Sequence, residues 1–164
     1  MLKKVAIENL AKTLKADVVP SWSADLQKSL KTLLTSPNPA LPAAVLPLVA
    51  RWDKDGKLAS DTKALVASLS EKLKDEKQSD DTRAQIAASL VGVRQMNADI
   101  LPSVAGILGS SASQSLQKRV IESLGATGDA AVAPLLAGAF AKIPAELQDT
   151  AFAQIVKRAD WSMG

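Results

Sequence analysis

The sequence contains no histidine, no cysteine and no tyrosine. Without histidine and cysteine there is no Ser-His-Asp or Cys-His nucleophile, no imidazole general base, and no His or Cys ligand for zinc. Disulfides, iron–sulfur ligation and covalent c-type haem attachment within the segment are excluded for the same reason. Aromatics are scarce: Trp22, Trp52, Trp161, Phe140 and Phe152 are all there are in 164 residues. Long apolar runs are missing as well. The richest stretch, Ala130–Ala141, falls short of the ~18 uninterrupted residues a membrane span needs and suits a buried helix. Residues 1–19 are not a secretory leader, because Glu8, Asn9, Lys12 and Lys15 interrupt any apolar region. Asn9, Asn38 and Asn97 all lack the Ser or Thr of a glycosylation acceptor. The expectation is a soluble chain with no membrane association. Its compartment stays open, since a cysteine-free domain suits a reducing interior and the outside equally, and a parent protein could be exported.

What is present is alanine (28) and leucine (22), a composition that lets helices approach closely. Twenty basic residues against 17 acidic leave a formal charge of +3. Residues 1–34 hold six lysines against Glu8, Asp17 and Asp25, whereas the remainder balances at 14 of each sign. The basic excess therefore sits at the N-terminal end.

Helical periodicity recurs along the chain and strand alternation does not. Ile7, Leu10 and Leu14 share a face, as do Leu65, Leu69 and Leu73, then Ile86, Leu90 and Val93, then Leu116, Val120 and Leu124. The pattern predicts helices near 3–16, 23–35, 40–53, 59–77, 80–94, 99–110, 113–125, 130–142 and 145–159, with a tenth starting at Trp161. Ser23, Asp99 and Asp129 stand where N-caps are needed. A repeat underlies this series. Leu90 aligns with Leu124 at an offset of 34, Pro102 with Pro134 at 32, and Leu124 with Val156 at 32. Each unit is a helix, a short polar turn, and a second helix with a proline near its first turn, where a missing amide hydrogen is harmless. Periods of this size point to an α-solenoid.

The run Leu124-Gly-Ala-Thr-Gly-Asp-Ala-Ala-Val-Ala-Pro-Leu-Leu136 resembles the turn and second helix of HEAT-like (armadillo-type) repeats. Asp99-Ile-Leu-Pro-Ser-Val-Ala-Gly-Ile-Leu108 matches the second half, with Arg94-Gln-Met-Asn97 in place of the Gly-rich turn. The likeness spans residues 36–164 and fades toward the N-terminus. It implies an all-α fold, a right-handed superhelix of four to five antiparallel hairpins in one domain over 1–164. Within it, 1–35 is a less regular N-terminal hairpin, 36–79 a second unit and 80–164 the regular repeats, cut short at the C-terminus. A narrower likeness joins Leu46-Pro-Leu-Val-Ala-Arg-Trp-Asp-Lys-Asp-Gly56 and Ile155-Val-Lys-Arg-Ala-Asp-Trp-Ser162 to helical arrays in large bacterial proteins. Those proteins combine a dehydrogenase-type propeller with a c-type cytochrome module. That resemblance implies an array between redox domains, carrying no cofactor itself.

Several motifs have plainer readings. Asp53-Lys-Asp-Gly56 resembles a calcium-loop start, but with Gly56 in sixth place the first and twelfth positions are Arg51 and Thr62, not carboxylates. A charged turn is the better reading. Gly125-Ala-Thr-Gly128 lacks the Lys-Ser/Thr of a phosphate loop and a preceding strand, so it reads as a helix C-terminus and turn. Lys12, Lys15 and Lys28, with Lys3, Lys4 and Lys31, could line a basic face around Trp22, though a solvated surface explains them as well. Trp22, Trp52 and Trp161 are candidate partner contacts, with core-edge packing the favoured alternative for each. The expectation is a non-catalytic scaffold or interdomain spacer, part of a larger protein. It needs no metal or cofactor, and it binds a protein partner or neighbouring domains. A monomer is expected, with exposed apolar ends that would permit end-to-end association. The alternatives are nucleic-acid binding through the lysine face and a carboxylate-only enzyme.

Overall fold

The structure is a computed structural model that describes residues 2–13, 15, 18–37 and 40–156. Among them the chain is all-helical, with nine α-helices, two 3-10 turns and no strand. The helices are α1 (Leu2–Thr13), α2 (Ala24–Leu34), α3 (Ala40–Trp52), α4 (Ala59–Lys74), α5 (Asp80–Gly92), α6 (Ile100–Ala105), α7 (Gln114–Gly125), α8 (Val132–Ala139) and α9 (Ala145–Val156). Each expected helix over residues 1–159 has its counterpart. The expected tenth helix at Trp161 lies outside the described residues.

Serines start the best-defined helices. The hydroxyls of Ser23, Ser79 and Ser113 accept the amides of Leu26, Thr82 and Leu116 respectively, satisfying one free first-turn donor in each case. Asp99 does not cap α6 with its side chain. Its amide is held instead by the Asn97 side chain at 2.8 Å, which turns the chain one step earlier. Asp129 accepts from the amide of Ala131 at 3.1 Å, ahead of α8. Pro102 and Pro134 fall in the first turns of α6 and α8, where the missing amide costs nothing. Pro47 lies inside α3 and removes one hydrogen bond there.

The chain forms two compact units, Met1–Leu69 and Ser70–Gly164, the division falling inside α4. In the first, α1 and α2 both pack on α3. That role follows from composition: α3 is apolar nearly all round, and Ala43, Ala44, Val45, Leu46, Leu48, Val49 and Trp52 are buried.

In the second unit, α5 packs on α7 and α7 on α9, while α6 packs on α8. Consecutive helices also touch, α5 with α6, α6 with α7, α7 with α8 and α8 with α9. Ile86, Leu90, Ile100, Leu116, Val120, Ile121, Leu124, Val132 and Leu136 make the core, each exposed by 1% or less. Ala137 and Ala141 are exposed, and Phe140 is half-buried. The α-helix ends at Ala139 and continues as a 3-10 turn, Phe140–Lys142. That tighter winding rotates the last residues off the inward stripe held by Val132, Ala133 and Leu136.

Candidate interaction surfaces

In the first unit a groove of about 510 Å³ runs between Ala6 and Ile7 of α1 and Lys28, Ser29, Thr32 and Leu33 of α2. It exists because both helices seat on α3. Leu10, one turn on from Ala6 and Ile7 in α1, is 42% exposed. Val5, Val18 and Val19 add further exposed apolar surface. Lys28 is exposed and makes no ion pair among the described residues. Lys31 is neutralised by Asp61 at 3.1 Å. Of the predicted basic face, Lys31 is thus compensated, and Lys28 has no ion pair among the described residues.

Trp22 is half-buried. Its indole N–H donates to the Gln27 side chain at 3.3 Å, and the Lys57 ammonium lies 5.6 Å from its ring centroid. Lys57 is remote in sequence, so no local pattern marked that contact. Trp52 is buried at the end of α3, a core position, and its indole nitrogen has no hydrogen-bond partner. Lys15 is exposed between α1 and α2. Lys12 lies on α1 with its side chain outside the described residues, and Trp161 is likewise outside them.

Asp53 resolves the calcium-loop question toward a turn. Its two carboxylate oxygens accept the amides of Lys57 at 2.8 Å and Leu58 at 2.7 Å. Gly56 takes the left-handed φ of 70° that the turn requires. No cluster of three or more metal-ligating side chains occurs among the described residues.

The second unit carries a polar lattice at the repeat spacing. Ser111 donates to Glu76, Ser113 to Asp80, Arg119 pairs with Asp81 at 2.6 Å, and Gln114 donates to Glu146 at 3.2 Å. At the opposite turns Arg94 pairs with Asp129 at 3.0 Å and reaches the Thr127 carbonyl at 3.4 Å. The Ala131 amide and then the Arg94 guanidinium hold the Asp129 carboxyl below the usual carboxylate range. The side-chain bonds between turns link positions 32 to 38 residues apart, near the period read from the sequence. These groups link the turns to one another.

A shallow hollow of about 380 Å³ separates α5 from α7, lined by Ala84, Gln85, Ala88, Arg119, Glu122 and Ser123. A further exposed surface lies on α9, where Phe152 is 56% and Val156 47% exposed. Ala145, Asp149, Phe152 and Val156 recur at i, i+4, i+7 and i+11, one continuous stripe opposite buried Leu147 and Ala151. No family model matches the chain, and neither does any curated protein or solved structure. No helix among the described residues is long and apolar enough to cross a membrane.

Proposed function

We propose that the chain is a HEAT-like helical-repeat scaffold, an α-solenoid of stacked hairpins that holds a protein partner or neighbouring domains in place without catalysing a reaction. The observation that carries this reading is the second unit's lattice. Core stripes recur there near the sequence period, Ser79 and Ser113 cap α5 and α7 alike, and polar side-chain bonds join turns 32 to 38 residues apart. Each repeat buries its stripe only against its neighbours, as in quasi-one-dimensional repeat proteins. The concavities between the helices are open to solvent rather than enclosed, the one between α1 and α2 included. Surfaces of that shape suit a protein contact better than a small substrate.

The test is cross-linking in the cells that make the parent protein, followed by mapping of lysine cross-links. A scaffold predicts cross-links from Lys28 and Lys57 to a different protein or domain, weakened by Leu10→Glu. The nucleic-acid alternative predicts oligonucleotide binding whose logarithm falls with log salt by ~0.9 per phosphate contacted, and its loss in Lys15→Glu and Lys28→Glu. Such binding, without protein cross-links, would overturn the scaffold.

A further inference from the structure

We infer that Arg83 is a latch that binds the last turn of α4 to the second unit, so that α4 parts inside the helix, near Leu69–Ser70, when the first unit opens and the second stays folded. Helix α4 is shared between the two units, with the division between Leu69 and Ser70. Its buried side, Val66, Leu69 and Leu73, runs through that division without a gap. No proline or glycine marks a break point in it. The ties at its two ends decide which unit each part follows.

At the start of α4, Asp61 pairs with Lys31 of α2 at 3.1 Å, within the first unit. That pair is partly exposed and contributes little. The tie at the other end is of a different kind. Arg83, at the end of the first turn of α5, is only 4% exposed, and its Nε donates to the Leu73 carbonyl at 2.8 Å, within the second unit. Leu73 is next to last in α4, so its carbonyl has no amide of its own helix to accept. A guanidinium there satisfies that oxygen and sets positive charge at the negative end of the α4 dipole.

The same cation lies at the positive end of the α5 dipole, which Asp80 and Asp81 in that turn offset. The Asp75 carboxyl, in the turn between the helices, is held low by hydrogen bonds from Gln78 and the Lys77 amide, and Arg83 adds a smaller pull in the same direction. A buried guanidinium is tolerated only while such partners stay in place. The end of α4 and the start of α5 therefore open together. The consequence is a chain that opens in two steps, the thinly covered first unit before the second. This holds whatever the chain binds, so it stands or falls apart from the scaffold reading.

The test exploits the absence of cysteine. Full-length proteins carry one thiol each, from Leu69→Cys, Leu73→Cys or Leu124→Cys, the same change at three buried positions. Each is treated with a thiol reagent in urea below the main unfolding transition, with helix content checked by circular dichroism. A buried thiol reacts only when its surroundings open, so the labelling rate reports local opening. Position 73 is expected to label as slowly as position 124 in α7, and at least about tenfold more slowly than position 69. Adding Arg83→Met should raise labelling at position 73 at least about tenfold and leave position 124 unchanged, while Arg83→Lys, which keeps a donor, should restore part of the protection. Equal rates at positions 69 and 73 overturn the inference, and so does protection at position 73 that survives Arg83→Met. If Arg83→Met fails to fold, the comparison of the three positions with Arg83 intact, together with Arg83→Lys, decides the matter.

Discussion

Glycine positions separate cleanly by what surrounds them. Gly138 lies in α8 on an exposed face, and a Cβ there would meet nothing within 4 Å. Gly138→Ala should therefore stabilise the protein by ~0.5–1 kcal/mol, through helix propensity and a less disordered unfolded chain. Gly109 is the reverse case. Its φ is 75°, and an added Cβ would run into Lys142 in the 3-10 turn after α8. Gly109→Ala should cost about 2 kcal/mol, from left-handed strain and displacement together. Urea denaturation of the two variants, read as a change in midpoint at constant slope, checks both. Gln117 is a third kind of residue, polar but only 2% exposed. Its side chain accepts the Gly109 amide at 3.0 Å and donates to the Ala112 carbonyl at 2.8 Å, stapling the loop between α6 and α7. Replacing it with leucine would strand both backbone groups and should cost ~2–3 kcal/mol in the same assay. Nothing in the run Gln114–Gly125 marks Gln117 as buried, because the loop it serves precedes its own helix.

Among elements, the turns carry the pH response. The Asp129 carboxyl is held down by the Ala131 amide and Arg94, so the native state binds fewer protons than the unfolded one near pH 3–4. Asp75 acts in the same direction, through hydrogen bonds from Gln78 and the Lys77 amide. The stability these groups give is complete above the ordinary carboxyl value of ~3.9 and is lost as pH falls through their lowered values. Asp129→Asn should lower stability by ~0.5–1 kcal/mol at pH 7, the scale of a partly exposed pair, and flatten its dependence between about pH 5 and pH 2. Equilibrium unfolding at a series of pH values tests this, and an unchanged slope would assign the acid response elsewhere. Helix starts were readable where the cap is a short polar residue next to a periodic run, as at Ser23. They were not at Asp99, where Asn97 takes over the turn. The Arg94–Asp129 bond spans a full repeat, so no window of local sequence contains both partners.

Across the molecule, burial is uneven and exchange should follow it. Leu116, Val120, Ile121 and Leu124 of α7 are fully buried, whereas no described side chain of α1 is. Amide hydrogen exchange should be slowest in α7 and fastest in α1, since local opening is easiest where few apolar contacts are lost. Equal protection in the two helices would contradict the quasi-one-dimensional picture. Sequence alone determined the all-helical class, the positions of nine helices and the exclusion of His- and Cys-based chemistry. Those properties follow from side-chain spacing along a single helix and from simple composition. Only the tertiary structure decided which apolar residues stay outside. Leu10 and Leu30 look alike in their helices, yet Leu10 is 42% exposed and Leu30 is 3% exposed. The difference lies in which neighbouring helix covers each face, and periodicity shows that a stripe exists without showing whether anything is packed against it.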